Sequence, residues 1–299
     1  MAEPSIIETI DLRKEYGGVH ALSGVSLQVA PGAIYGLLGR NGAGKTTTIK
    51  LLLGMARATS GQARVFGLPV DAQDASVEIR RRTGFVGEDK DLYDYMNVEE
   101  MIRFTAAFYP RWRRDLEQRY LRAFDLPAGR KIKALSRGTR TKLALLLALC
   151  RGAELLVLDE PTAGLDPAVT EEVLQALVRH VAAEEMTVFF SSHQIADVDQ
   201  IADHLAIVDR GAVVVQGALD DLRERYRRIR LVFDDAAPAD AFRGPGVVRV
   251  RCDGRVATVL SSAGADQIVA DARARGARSA DVSPVTLKDI FLDSVTTEN

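Results

Sequence analysis

A chain of 299 residues with 47% hydrophobic side chains is too long for one small domain and has apolar residues enough to fill a large core beside a smaller one. Its formal net charge of −2 argues against a nucleic-acid-binding face, whose mark is a strongly basic domain. Cys150 and Cys252 are too far apart in the sequence to suggest a disulfide, and the longest unbroken apolar run, Leu143 to Cys150, falls far short of the ~20 residues of a bilayer span, so a reducing compartment and no membrane crossing are expected.

In chain order, Ile6 to Ile10 and Gly24 to Val29 read as two strands joined by a polar turn. Tyr16, just before Gly17-Gly18, is either a packing residue or a ring that stacks on a base, a contact worth ~1–3 kcal/mol. Ala33 to Leu38 is an apolar, β-leaning run, and Thr47 to Met55 is an apolar helix-forming one. Between them stands Gly39-Arg40-Asn41-Gly42-Ala43-Gly44-Lys45-Thr46, which fits G-x-x-x-x-G-K-[ST]. A strand feeding a glycine-rich turn that opens a helix is what phosphate binding requires. The glycines let backbone N–H groups wrap the phosphates without Cβ clashes, and the helix N-terminus adds partial positive charge. In this stretch Gly39, Asn41, Gly42, Gly44, Lys45, Thr46 and Thr47 are the candidate nucleotide-binding residues. Lys45 reaches the β- and γ-phosphates, and the Thr46 hydroxyl ligates Mg²⁺.

Farther on, Gly61 to Gly67 suggests a short strand pair, Val77 to Arg82 a helical turn, and Gly84 to Gly87 a buried strand ending in Glu88-Asp89-Lys90-Asp91. Asn97 then caps a helix with Glu99 and Glu100 in its first turn, Pro110 stops it, and Trp112 to Phe124 forms another. Helical material is therefore inserted between parts of a nucleotide-binding domain, and the arginines at 111, 113, 114, 119 and 122 read as its solvated face. Leu135-Ser136-Arg137-Gly138-Thr139 precedes a strongly helical run. Ser136 either caps that helix and does no more, or helps form a second anion site. One chain cannot easily aim two helix N-termini at one γ-phosphate from opposite sides, so a dimer enters consideration.

Glu154 to Glu160 is an apolar strand ending in paired carboxylates. Asp159 suits a water-mediated contact to Mg²⁺, and Glu160, pointing elsewhere, suits acceptance of a proton from an attacking water. Gly164-Leu165-Asp166 is a turn before a helix from Pro167. Met186 to Phe190 is one more buried strand, with His193 past its end, either structural or aimed at a γ-phosphate oxygen. Leu205 to Val208 and Ala212 to Val215 complete the sheet. From about residue 218 a separate unit is expected, in β-(α)-β-β-α-β order, as in a ferredoxin-like sandwich, with Asp253-Gly254 as a hairpin signal. It carries no chemical constellation; regulation, dimer contacts and partner contacts all stay open.

Taken together, Tyr16, the loop at 39–46, LSRGT at 135–139, Asp159-Glu160, the turn at 164–166 and His193 resemble the ATP-binding cassette (ABC) family, specifically the nucleotide-binding subunit of a bacterial exporter. The resemblance covers about residues 5 to 220. It implies an α/β P-loop NTPase of ABC type, a mixed sheet core with an inserted helical subdomain at about 90–150, over residues 1–217, followed by a small α+β ferredoxin-like domain over 218–299. The implied activity is hydrolysis of ATP with Mg²⁺, coupled to transport. Tyr16 then stacks on adenine, Lys45 binds phosphates, Thr46, Asp159 and Glu88 hold the metal, Glu160 is the base and His193 contacts the γ-phosphate. Ser136 and Gly138 serve the ATP of the opposite subunit, and Asp166 links the two sites. The implied partners are a second copy of the chain and a separate multi-span permease, with no nucleic acid, at the cytoplasmic face of the membrane; Tyr93, Tyr95 and Met96 are candidate permease contacts.

Two departures from the family pattern stand out. Arg137 and Thr139 replace the first glycine and the glutamine of the usual LSGGQ, while Gly138 keeps the second glycine. Glu88 stands where a glutamine is usual, and its charge near a triphosphate costs roughly 3 kcal/mol per pair at 6 Å and an effective dielectric of ~20, to be offset by Mg²⁺ or by Lys90. The other reading is a soluble ABC ATPase acting on ribosomes or DNA. Ribosome-acting members usually carry two cassettes, and DNA-repair members insert a long coiled coil; here there is one cassette, and residues 47 to 134 show no heptads.

Overall fold

Gly17 and Gly18, at φ of 53° and 87°, turn the chain back so tightly that β1 (Ile7–Tyr16) and β2 (Val19–Val29) pair antiparallel up to Tyr16 and Val19. Both strands are longer than the sequence suggests. Gly24 lies inside β2 at a register shift, with φ of 121°, and a Cβ there would come within 2.6 Å of Asp11 Oδ1; it marks a bulge rather than a strand end. In this computed structural model, residues 5–238, 242 and 244–295 are described. The chain divides into two compact units, Met1–Val213 and Val214–Asn299.

Along the first unit follow β3 (Ile34–Leu38), α1 (Lys45–Leu52), β4 (Ser60–Val65), β5 (Leu68–Pro69), α2 (Gln73–Arg82) and β6 (Thr83–Val86). The inserted helices are α3 (Val98–Ala106), α4 (Arg114–Ala123) and α5 (Arg137–Leu149). Then come β7 (Leu155–Asp159), α6 (Pro167–Glu184), β8 (Thr187–Ser192), α7 (Ile195–Ile201), β9 (His204–Asp209) and β10 (Ala212–Ala218), within which the division between the units falls.

Two sheets result, one ordered β2-β1-β4-β5 and one ordered β10-β9-β3-β8-β7-β6. In the second, β3 is parallel to β8 and β9, and β7 to β6 and β8. Parallel strands buried on both faces need continuous apolar runs, as β3 and β7 have. Helix α1 is covered on two sides, its Ile49 and Leu52 joining one core with Leu22, Val25 and Leu27 of β2 and with Leu37, Val157 and Phe189 of the parallel sheet. Each such side chain contributes roughly 1.5–3 kcal/mol by leaving water. The register matters most for function. Leu38 pairs with Ser192, and Asp159 with Ser191, so three strands release the 39–46 loop, Glu160 and His193 from the same edge.

Helix α3 starts on a capping box: Asn97 Oδ1 accepts from Glu100 N at 2.8 Å, and Asn97 N donates to Glu100 Oε2 at 2.7 Å. It ends at Ala106, ahead of Pro110, and α4 begins two residues after Trp112, whose indole N–H bonds Glu117 at 2.6 Å. Two of the arginines on this face take acidic partners: Arg113 pairs with Asp115 and with Glu184 of α6, and Arg114 with Glu117. Tyr120 of α4 and His180 of α6 share a buried 2.8 Å hydrogen bond, and burial holds the imidazole down to about 4 and the phenol up to about 12.

The second unit opens with α8 (Leu219–Arg225) and continues as β11 (Arg227–Phe233), β12 (Val247–Asp253), β13 (Val256–Ser261), α9 (Ala265–Ala274), β14 (Ala277–Pro284) and α10 (Leu287–Ser294). Its sheet is antiparallel in every pairing, ordered β12-β13-β11-β14. Ile229, Leu231 and Val259 pack with Ile268 and Ala272 of α9, while Arg228 and Arg251 reach Asp289 and Asp293 of α10. The connection where the expected order allows a helix, between β11 and β12, includes residues 239–241 and 243, which lie outside the described residues. Asp253 is itself the last paired residue of its strand, opposite Val256, so Gly254 and Arg255 make the turn.

Candidate functional site: a phosphate-binding loop and its carboxylates

Glycine at 44 is required twice over. Its φ is 107°, and a Cβ would come within 2.6 Å of Leu22 Cδ2 and 2.8 Å of the Ala21 carbonyl. Gly42, at φ 80°, has open space where a Cβ would stand, which leaves its backbone accessible. Lys45 opens α1 and is only 6% exposed. Its ammonium donates to the carbonyls of Gly39 at 2.8 Å and Arg40 at 3.2 Å and lies 3.0 Å from Glu160 Oε1. Asn41, Gly42, Gly44, Lys45, Thr46, Thr47, Glu88, Glu160 and His193 line one cleft of about 310 Å³ together with Ala21, which no motif marks.

Asp159 ends β7 buried, its Oδ1 accepting from Ser191 Oγ at 2.6 Å; the same Ser191 oxygen accepts from Glu160 N at 3.0 Å. Glu160 follows at a left-handed φ of 49°, which turns its side chain away from that of Asp159. Glu160 Oε2 accepts from His193 Nδ1 at 2.7 Å and from His193 N at 3.3 Å. Oε1 is buried and pairs with the Lys45 ammonium at 3.0 Å. A carboxylate held between a lysine and a histidine beside a phosphate loop can serve as a base once that lysine turns to a phosphate. Behind it, Asp197 accepts from Thr162 and Ser192, and burial pushes its carboxyl above the usual range.

Thr46, Glu88 and Asp159 also share a larger adjoining cavity of about 510 Å³. Among the described residues no three His, Cys, Asp or Glu side chains cluster closely enough to hold a metal. A hydroxyl and two carboxylates fit a hard cation that completes its shell with phosphate oxygens and water. Lys90 lies 6% exposed beneath this site, where burial first and the Arg137 charge second hold its ammonium below the usual lysine range, against Glu88, Asp159 and Glu160. Its Nζ donates to the Glu160 carbonyl at 3.3 Å. Ser191 and Lys90 were not singled out for these contacts from the sequence; the available signals were the Ser-Ser-His run at a strand end and a lysine two residues past Glu88.

Six expected residues do not line the cleft: Gly39, whose carbonyl takes the Lys45 ammonium, Asp159, which lines the adjoining cavity, and four that stand farther off. Tyr16 is 47% exposed with Lys14 Nζ 4.5 Å over its ring. Ser136 caps α5, accepting from Thr139 N at 3.2 Å, and Asp166 caps α6, accepting from Val169 N at 3.0 Å. Gly138 lets α5 approach α6, since a Cβ there would stand 3.1 Å from Val169 Cγ1. The Arg137 guanidinium covers Gly164 closely enough that a Cβ there would overlap it.

The family model described as "ABC transporter" matches residues 22–163. The chain is 36% identical over 227 residues to the bacitracin transport ATP-binding protein BcrA of Bacillus licheniformis, an alignment covering 75% of this chain and 73% of that protein. It is 29% identical over 297 residues to the ABC transporter ATP-binding protein YhaQ of Bacillus subtilis, covering 96% of this chain and 98% of that one. A solved dimeric ATP-binding cassette in a post-hydrolysis state with ADP and Pi shares the fold, with a TM-score of 0.64 at 22% identity over 71% of this chain and 98% of that one. With a glycine-rich loop, paired carboxylates and a histidine meeting at one sheet edge, and with relatives of this identity and coverage, the chain belongs to the ABC transporter family of ATP-binding proteins.

Proposed function

We propose that this chain is the ATP-hydrolysing subunit that drives a membrane permease, and that two copies assemble head to tail so that each completes the other's catalytic site. The observation that carries the reading is Glu160: a buried carboxylate lining the cleft, gripped by His193 on one oxygen and paired with Lys45 on the other.

In this reading Gly39, Asn41, Gly42, Gly44 and Thr47 form the phosphate cradle, and Lys45 neutralises the β- and γ-phosphates. Thr46, Asp159 and Glu88 hold Mg²⁺, which screens phosphate charge when bound. Glu160 Oε1 takes the proton of the attacking water. His193 has its Nδ1 on Glu160, and its other ring nitrogen, when it carries a proton, donates to a γ-phosphate oxygen. Tyr16 stacks on the base from the cleft's margin. Ser136, Gly138 and Asp166 stand outside their own cleft, which is what residues serving a neighbour's nucleotide require.

The ATP-binding domain extends to about residue 217, and residues 218–299 are an accessory domain. Among the described residues no helix is long and apolar enough to cross a membrane, so attachment to the cytoplasmic face falls to the permease. The exposed rings of Tyr93 and Tyr95, with Met96 next in sequence, offer a contact surface for it. Export is the direction that the motif set's resemblance to exporter subunits implies.

The test is Glu160→Gln. Its Mg-ATP hydrolysis falls by about 10² or more, the usual worth of a general base, while ATP binding persists and light scattering shows ATP-dependent dimers. Ordinary turnover in that variant removes Glu160 from the base role.

A further inference from the structure

Two non-glycine residues near the cleft, Lys90 and Glu160, both adopt left-handed backbone, at φ of 48° and 49°. Such a conformation costs of order 1–3 kcal/mol and persists only where neighbours over-determine it. For Glu160 the neighbours are identifiable. Ser191 Oγ takes its N–H at 3.0 Å. Its carbonyl accepts from two donors, Ala163 N at 3.3 Å and Lys90 Nζ at 3.3 Å. Of the three, only Lys90 carries a charge, and only Lys90 comes from outside the two strand ends, β7 and β8, and the turn that follows β7.

That origin gives the contact its meaning. Lys90 lies two residues past Glu88, and its own N–H closes a turn on the Gly87 carbonyl at 3.3 Å. The same loop leads directly into the inserted helices through Asn97. A lysine with 6% exposure spends its ammonium on a backbone carbonyl although the Glu88 carboxylate attracts it. Charge balance alone would favour the carboxylate; holding a peptide unit in place is what this arrangement does.

We propose that Lys90 is a positioning residue for Glu160: through its bond to the Glu160 carbonyl it fixes the left-handed peptide that aims the carboxylate at the cleft, and it ties that aim to the loop carrying Glu88. The proposal rests on the reading of Glu160 as the base. A carboxylate misplaced by about 1 Å costs up to about 10² in rate, so loss of the bond acts on turnover rather than on nucleotide affinity.

The experiment compares the full-length wild type with Lys90→Met, Lys90→Arg, Glu88→Gln/Lys90→Met and Glu160→Gln, measuring kcat and KM for Mg-ATP and the thermal midpoint of each. The expected result is a kcat about ten- to a hundredfold lower in Lys90→Met with KM within about threefold, and recovery in Lys90→Arg to within about fivefold of wild type. Removing the Glu88 charge does not restore Lys90→Met, because the missing element is a bond to a carbonyl. Three results overturn the proposal: a Lys90→Met kcat within about threefold of wild type; restoration by Glu88→Gln, which makes Lys90 a counter-charge; or Lys90→Arg as slow as Lys90→Met at an unchanged thermal midpoint, which makes it a packing element. Should Lys90→Met unfold at assay temperature, Lys90→Gln takes its place under the same criteria. Turnover retained in Glu160→Gln is a separate failure, that of the base assignment.

Discussion

Two helix N-termini in the first unit have a glycine and a hydroxyl-bearing residue within their first turn, yet they face opposite fates. Helix α1 starts at Gly44-Lys45 inside its own cleft, with the Lys45 side chain 6% exposed and Glu160 and His193 brought against it by the strand register. Helix α5 starts at Ser136-Arg137 with both residues exposed, and no member of LSRGT reaches that cleft. Both ends have free N–H groups and the same dipole, so intrinsic anion affinity does not separate them. Placement does. One terminus is enclosed by its own chain, and the other is exposed, as the proposed service to a second copy requires.

The strongest way to break that contrast is Ser136→Arg. If α5 serves another copy, hydrolysis falls by about 10² while the ATP affinity of the monomer, read by equilibrium binding, stays within about twofold; a collapse of monomer affinity would put Ser136 in its own cleft after all. Less drastic is the loss of the platform that carries α6. With the buried imidazole held down to about 4 from an ordinary 6.5, the unfolded chain binds the extra proton between those values, so stability is full above about pH 6.5 and declines as pH falls toward 4. The decline attributable to His180 is up to about 3 kcal/mol, and His180→Gln flattens it in urea titrations at pH 7 and pH 4.5. Smallest is Gly164→Ala, where a φ of 68° and the Arg137 guanidinium both oppose a methyl group. It lowers stability by about 1–2 kcal/mol, and the Arg137→Ala background removes the steric share of that loss.

The enclosed terminus was more legible than its surroundings because its determinants are local. A tight turn, close backbone approach and a helix start all fall on consecutive residues, and each restricts the residue type. Asp159-Glu160 and His193 could be placed for a similar reason: apolar parallel strands announce their own carboxyl ends. What escaped notice depends on long-range register. Ser191 holds Asp159 and the Glu160 N–H because β7 and β8 pair with Asp159 opposite Ser191. Lys90 reaches Glu160 across a separation of 70 residues, and nothing in either neighbourhood encodes it. Gly24 misled in the other direction. A glycine after a serine reads as the start of a strand at Gly24, but here it absorbs a bulge within a strand that runs through it.

A mixture of two disabled chains tests the shared catalytic site most directly. Lys45→Ala lacks a working phosphate loop and Ser136→Arg lacks a working α5 terminus, so each alone is inactive. In a head-to-tail pair of one with the other, one cleft unites the intact loop of the Ser136→Arg chain with the intact α5 terminus of the Lys45→Ala chain. The account predicts that mixing restores Mg-ATP hydrolysis clearly above the sum of the two separate preparations, in proportion to the mixed dimer formed. Mixed dimers that form and remain as inactive as their parents would contradict it.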